Sequence, residues 1–164
     1  MTKEYLDKIL YYADGMLFWK IKTCRKVTPG KRAGALRPDR YRHIRIDKKY
    51  YQEHILIWCI CKGEMPALLI DHENEIRDDN RIENLRLATK CQNAVNTNKW
   101  STNTSGHKGV SFNKASKKWV SYISVNKKIK HLGTFETLQH AVSVYKNAVK
   151  TFHGEFANKK VLCA

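Results

Sequence analysis

Two short apolar runs, ALLID at 67–71 and LRLAT at 85–89, flank a thirteen-residue polar loop, HENEIRDDNRIEN, and a helical pattern, KCQNAVNTN, follows them. A strand, a polar loop, a second strand and a helix are the smallest set of elements that can hold a site between them. Thr89 with Gln92 three residues later forms a capping-box pattern, so a helix starting at Lys90 carries Asn93 in its first turn, facing back toward the strand end. Asp71 and His72 stand where the first strand meets the loop. Adjacent strand residues point to opposite faces, so these two share a site only if the strand breaks there, and the polar loop beginning at His72 permits the break.

The same residues carry chemistry. Asn84 follows His72 by twelve positions and Asn93 follows Asn84 by nine. Cutting a phosphodiester needs a base to activate water and a divalent cation to hold the phosphate and the leaving oxygen, and a histidine flanked by a carboxylate and an amide supplies both. Taken singly, each residue has a plainer structural reading: Asp-His as a turn, Asn84 as a loop cap, Asn93 as a surface amide. The combination at this spacing points to a nuclease centre. His54, opening the apolar stretch HILIW, lies outside the pattern and reads first as a core or capping histidine, with a role in supporting the site left open.

Charge agrees with that chemistry. Thirty-one Lys and Arg against 15 Asp and Glu leave a net charge of +16 on 164 residues, and residues 100–164 hold 11 basic and only 2 acidic side chains. Such a field attracts a polyanion through its phosphates, independently of sequence. A membrane partner is excluded as the better reading, because no apolar run approaches the roughly 20 residues a span requires and the basic residues do not line one amphipathic helix. The five cysteines, at 24, 59, 61, 91 and 163, form no CxxC pair. They read as buried or idle thiols in a reducing compartment, hence a cytoplasmic protein without a disulfide framework or a structural zinc site.

Composition shifts near residue 100, where NAVNTNKWSTNTSGHKG reads as a linker, so residues 1–99 and 107–164 are expected as two modules joined by 100–106, with the strand–loop–strand–helix core at about 67–98. The 42% hydrophobic content suffices for two small cores. In the first module the pattern predicts a helix from about Lys3 to Tyr11, an apolar strand after DG, and a hairpin turning at Asp47-Lys48. HILIWCICKG reads as a buried helix ended by Gly63, with a strand left open by its β-branched content. In the second module, HKGVSFN, KKWVSYISVNKKIKHLGTF and TLQHAVSVYKNAVKTFHGEFAN read as three strands and one helix. Ala141, Val144, Tyr145 and Ala148 form a helical stripe able to cover one sheet face. The expected fold class is α+β: a strand-rich N-terminal module with a two-strand-and-helix centre, linked to a small three-stranded antiparallel sheet packed on one helix.

Asp71-His72, the DDNRIENL phrase with Asn84, and Asn93 resemble the HNH nucleases of the ββα-metal (His-Me finger) type, and most of all the phage HNH homing endonucleases. The resemblance covers about residues 50–98. It implies that His72 is the general base, that Asn84 orients the histidine, and that Asp71 and Asn93 hold one divalent cation, Mg²⁺ or Mn²⁺. Products with a 5′ phosphate and a 3′ hydroxyl would follow. Many members carry a second histidine where this chain has Asn93; an amide oxygen is a neutral hard ligand, which suits a weakly held Mg²⁺ better than zinc.

The C-terminal third, through KGVSFN, KKWVSYI, HLGTFET and AVSVYKNAV, resembles the Apetala/ethylene-response-factor DNA-binding domain, whose sheet lies in the major groove. The resemblance implies that Lys108, Ser111, Asn113, Tyr122, Ser124 and His131 project toward bases or backbone, with Lys114, Lys117, Lys118, Lys127, Lys128 and Lys130 on phosphates. Residues 100–164 contain no arginine, so bidentate guanine readout by arginine is not open to this sheet. The expectation is a monomeric endonuclease on double-stranded DNA, nicking one strand, phage-encoded and working in a bacterial cytoplasm. A DNA-binding regulator with an idle nuclease module is the competing class.

Overall fold

A computed structural model of the chain describes residues 1–96 and 103–157. Among them it is a mixed α/β architecture of four α-helices and several small antiparallel sheets. Two compact units are separable, Met1–Thr89 and Lys90–Ala164. The expected linker 100–106 and Cys163 fall partly or wholly outside the described residues.

The first unit opens with α1 (Lys3–Ile9), capped by the Thr2 hydroxyl, which accepts from the Tyr5 N–H. The helix stops two residues before the expected Tyr11. Leu10–Ala13 is instead strand β1, paired with β2 (Met16–Trp19) across Asp14 and Gly15, both at positive φ. Pairing wins because Leu10 lies opposite Trp19, both buried, and Tyr11 stacks on Phe18 with ring centroids 5.2 Å apart. A three-stranded sheet follows, β3 (Ala35–Leu36), β4 (Arg42–Ile46) and β5 (Lys49–Gln52), in that order. Its β4–β5 turn is Asp47-Lys48, both in the left-handed region, as the hairpin reading requires.

Helix α2 (Glu53–Lys62) settles the open choice for HILIWCICKG. Leu56, Ile57, Cys59 and Ile60 are buried on it, and Gly63, at φ 92°, ends it by donating to the Cys59 carbonyl. These side chains join Leu6, Leu10, Leu17, Trp19, Ile44, Ile46 and Leu85 in one core. Strands β6 (Leu69–His72) and β7 (Leu85–Ala88) pair antiparallel, Leu69 opposite Ala88 through His72 opposite Leu85.

The second unit holds α3 (Lys90–Val95), then β8 (Val110–Asn113), β9 (Lys118–Val125) and β10 (Lys128–Phe135) in sheet order β10-β9-β8, then α4 (Leu138–His153). Ala141, Tyr145 and Val149 of α4 are buried against Val110 and Ile123. The helix stripe is rotated from expectation: Leu138, Val142 and Ala148 pack in this cluster and Val144 does not. Gly109 enables the contact. Its φ is 71°, and a Cβ there would stand 2.1 Å from the Tyr145 ring and 2.6 Å from the Tyr122 carbonyl oxygen. Among the described residues, no helix is long and apolar enough to cross a membrane. The thiols of Cys24, Cys59, Cys61 and Cys91 are free.

Candidate active site

Strand β6 does not break between Asp71 and His72. Both pair with β7, Asp71 opposite Arg86 and His72 opposite Leu85, and the ladder runs one step further, with the Glu73 N–H donating to the Asn84 carbonyl at 2.9 Å. The chain turns only after that, where Glu75, at φ 64°, donates to the His72 carbonyl. The two side chains therefore leave opposite faces of one regular strand, and each is 4% exposed. The polar loop bends the chain one turn later than its sequence suggests, because β-pairing to Leu85 and Asn84 holds His72 in the ladder.

On one face, Asp71 Oδ2 accepts from Arg86 Nε and lies 2.8 Å from Arg86 Nη2. On the other, His72 sits among rings. His54 meets it edge to face at 5.0 Å, and Tyr41 lies 6.0 Å from His72 and 5.3 Å from His54. The Arg77 guanidinium covers Tyr41 at 5.1 Å. Burial lowers the pKa of His72 below the ordinary histidine value, although the hydrogen bond to Asn80 and the charge of Asp71 work against it. Burial also drives His54 down to about 3, helped by repulsion from His72 and His43. Both rings are thus neutral near neutral pH, and a neutral imidazole is the form that can accept a proton.

The amide on His72 belongs to Asn80. Asn80 Oδ1 is 2.9 Å from His72 Nε2, and Asn80 Nδ2 donates to Glu53 Oε2 at 2.9 Å. Glu53 is fully buried at the start of α2. Its Oε1 accepts from the Leu17 N–H at 2.9 Å, and Arg32 Nη2 and Arg42 Nε stand 3.2 and 3.6 Å from Oε2. Burial pushes the Glu53 pKa up, while the Leu17 N–H, Arg32, Asn80 and Arg42 all favour the ionised form. Asp78 lies beside the same two arginines at 3.6 and 3.4 Å.

Asn84, expected to orient the histidine, does other work. Its Oδ1 accepts from the Asn74 N–H, and its Nδ2 donates to Asn74 Oδ1 at 3.0 Å and to the Asp79 carbonyl at 2.7 Å. The side chain staples the loop that follows His72. Asn80 and Glu53 are the residues that sequence reasoning missed. An amide eight positions past the histidine, and a lone acid opening an apolar helix, are signals visible only together. His54, set aside as core, is buried but packs on the His72 ring itself.

Asn93 is half-buried on α3, which belongs to the second unit. Among the described residues no group of three His, Cys, Asp or Glu side chains gathers as a metal cluster. The donor chemistry fits a hard cation that draws most of its shell from water and phosphate, with the Asp71 carboxylate shared with Arg86, and does not fit zinc.

In the second unit, cross-strand register places Ser111, Tyr122, Ser124 and His131 on the sheet face away from α4, with Ile129 76% exposed beside Ser124 and the Tyr122 and His131 rings 5.2 Å apart. The lysines divide. Lys130 Nζ lies 4.7 Å over the Phe152 ring of α4, on the helix side, and Lys128 pairs with Val125 on that side. Lys118 is 3.6 Å from Glu136, Lys108 donates to the Val95 carbonyl, and Asn113 Oδ1 closes the β8–β9 turn by accepting from the Ala115 and Ser116 N–H groups. Lys114, Lys117 and Lys127 are exposed in turns.

Residues 51–95 match the family model for an HNH endonuclease, a span that holds Asp71, His72, Asn80, Asn84 and Asn93. That domain implies a nuclease hydrolase acting on DNA. The chain is also 29% identical over 114 residues to "Protein 3.8" of Escherichia phage T7, a region covering 67% of this chain and 93% of the phage protein. No solved structure matches.

Proposed function

We propose that the chain is a metal-dependent DNA endonuclease of the HNH homing type that nicks one strand of duplex DNA and leaves a 5′ phosphate and a 3′ hydroxyl. The observation that carries the reading is His72: a buried imidazole held neutral, inside the segment that matches an HNH endonuclease. His72 takes a proton from the attacking water, and a positioned base of this kind contributes roughly 10²–10⁴-fold to rate. Asn84 keeps the loop after His72 closed, and the rings of Tyr41 and His54 keep bulk water from the imidazole. Mg²⁺ or Mn²⁺, held by Asp71 and Asn93, would supply charge stabilisation at the phosphorus and at the departing 3′ oxygen.

The C-terminal sheet docks the chain on the duplex as an Apetala/ethylene-response-factor-like module. Ser111, Asn113, Tyr122, Ser124 and His131 face the groove and Lys108, Lys114, Lys117, Lys118 and Lys127 the phosphates, while Lys128 and Lys130, on the helix side of the sheet, lie off that surface. The +16 charge supports that assignment. The chain acts as a monomer, and one centre per chain gives nicks before double-strand breaks. Incubation of supercoiled plasmid with Mg²⁺, with Mn²⁺ and with chelator tests the reading. Nicked circles that require the metal support it, whereas retardation of DNA without cutting, on phage and host DNA alike, would turn the protein into a DNA-binding regulator.

A further inference from the structure

The first unit carries a positive field of its own, and that field lies in one stretch of chain. Residues 20–52 hold 12 basic and 2 acidic side chains, whereas the rest of residues 1–99 hold 8 basic and 11 acidic. Six of the chain's nine arginines fall in this stretch. Its two acids are engaged within the protein: Asp39 accepts from the Tyr41 N–H and lies 3.0 Å from His43 Nε2, and Asp47 accepts from the Tyr5 hydroxyl. Arg32 and Arg42 are paired with Glu53 and Asp78. Arg37, Arg40, Arg45, Lys48 and Lys49 are exposed and make no ion pair among the described residues.

The sheet β3-β4-β5 gathers these charges. Ile44, Ile46 and Tyr51 turn to the core, so Arg45 and Tyr50, opposite each other in the ladder, stand on the outer face. The Arg37 and Arg45 guanidinium groups lie 5.1 and 5.8 Å from the Tyr50 ring, which is 56% exposed. The ring attracts each cation, while the two cations repel each other, so an anion meeting both relieves the strain of gathering them. Planar guanidinium forks fit phosphate oxygens two at a time. The same surface leads to the cutting centre. Arg77 is exposed, donates to the Asp39 carbonyl and lies over the Tyr41 ring, and Tyr41 in turn packs on His54 and His72.

We propose that the outer face of this sheet, through Arg37, Arg45 and Tyr50, is a second duplex-DNA contact, carried by the nuclease unit itself. The grip on phosphates rests on charge and geometry; its role in leading a strand to His72 rests on the nuclease reading above. Arginine can also take guanine edges, so this face offers the readout that residues 100–164, without arginine, lack.

Anisotropy of a labelled random-sequence duplex, titrated with the full chain in chelator over a series of salt concentrations, tests the contact. Arg37→Gln/Arg45→Gln should bind about 10-fold more weakly, and the slope of log Kd against log salt should fall by about two, since each phosphate contact contributes roughly 0.9. Tyr50→Leu should weaken binding several-fold at an unchanged slope. Lys8→Gln/Lys62→Gln removes the same charge from exposed positions on α1 and α2 and should change both quantities far less. Unchanged affinity and slope in folded Arg37→Gln/Arg45→Gln overturn the proposal. So does an equal loss in the two double variants, or tighter binding of duplex RNA than of duplex DNA. If the variants do not fold, the wild type decides: added duplex should shift amide resonances within residues 37–50, and shifts confined to the second unit overturn the contact. The expected loss in a protein that never nicks plasmid sinks the nuclease reading alone, and nicking with an unchanged slope sinks this contact alone.

Discussion

Arg86 and Asp71 face each other across β6 and β7, and Nε and Nη2 of the guanidinium both lie 2.8 Å from one carboxylate oxygen, Oδ2. A buried carboxylate held this way is prepared for a second positive charge only in competition with the first.

Arg86→Met should therefore shift the balance toward the cation. Losing these bonds should lower stability by about 1–3 kcal/mol in chelator, and added Mg²⁺ should raise the unfolding midpoint more in the variant than in the wild type. Thermal denaturation of both proteins, with and without Mg²⁺, measures the difference. Equal shifts would place the cation away from Asp71.

Asn84→Ala removes the staple of the loop after His72. The expected cost is about 1–3 kcal/mol, with amide hydrogen exchange quickening through residues 73–81. The contact between His72 and Asn80 should survive, because Asn80 rather than Asn84 bonds the ring. A shift of the His72 ring resonances in this variant would return the orienting role to Asn84.

The buried His54 makes stability depend on pH. Its folded pKa, about 3, lies below the ordinary 6.5, so the unfolded chain takes up a proton first as the solution is acidified. The contribution is complete above pH 6.5 and is lost progressively as pH falls toward 3. Urea unfolding at pH 7, 6, 5 and 4 should show His54→Phe losing less stability than the wild type over this window. Parallel curves would mean that His54 titrates normally.

Gly109→Ala in the second unit should lower the unfolding midpoint and weaken retention of duplex DNA, since the added methyl meets both the Tyr145 ring and the Tyr122 carbonyl at a left-handed φ. Circular dichroism melts and gel retardation check this. An unchanged melt would contradict the close approach of β8 to α4.

Much of this architecture is legible in the sequence because it is local. Asp47-Lys48 announces its hairpin, Gly63 ends its helix, and ALLID and LRLAT pair across their polar loop. What is not legible is set by partners distant in the chain. Leu10 and Tyr11 leave the helix for Trp19 and Phe18. Asn80 is one of several amides in a polar loop until Glu53, 27 residues earlier, marks it out. His72 stays in the ladder because Leu85 pairs with it, a preference that loop polarity conceals.

The central claim, that His72 is the base of a DNA-cutting centre, is tested most directly by single-turnover nicking of supercoiled plasmid in Mg²⁺ by wild type and His72→Ala. The account predicts a rate loss of at least about 100-fold in the variant, with DNA retention intact. Equal rates in the two proteins would contradict it.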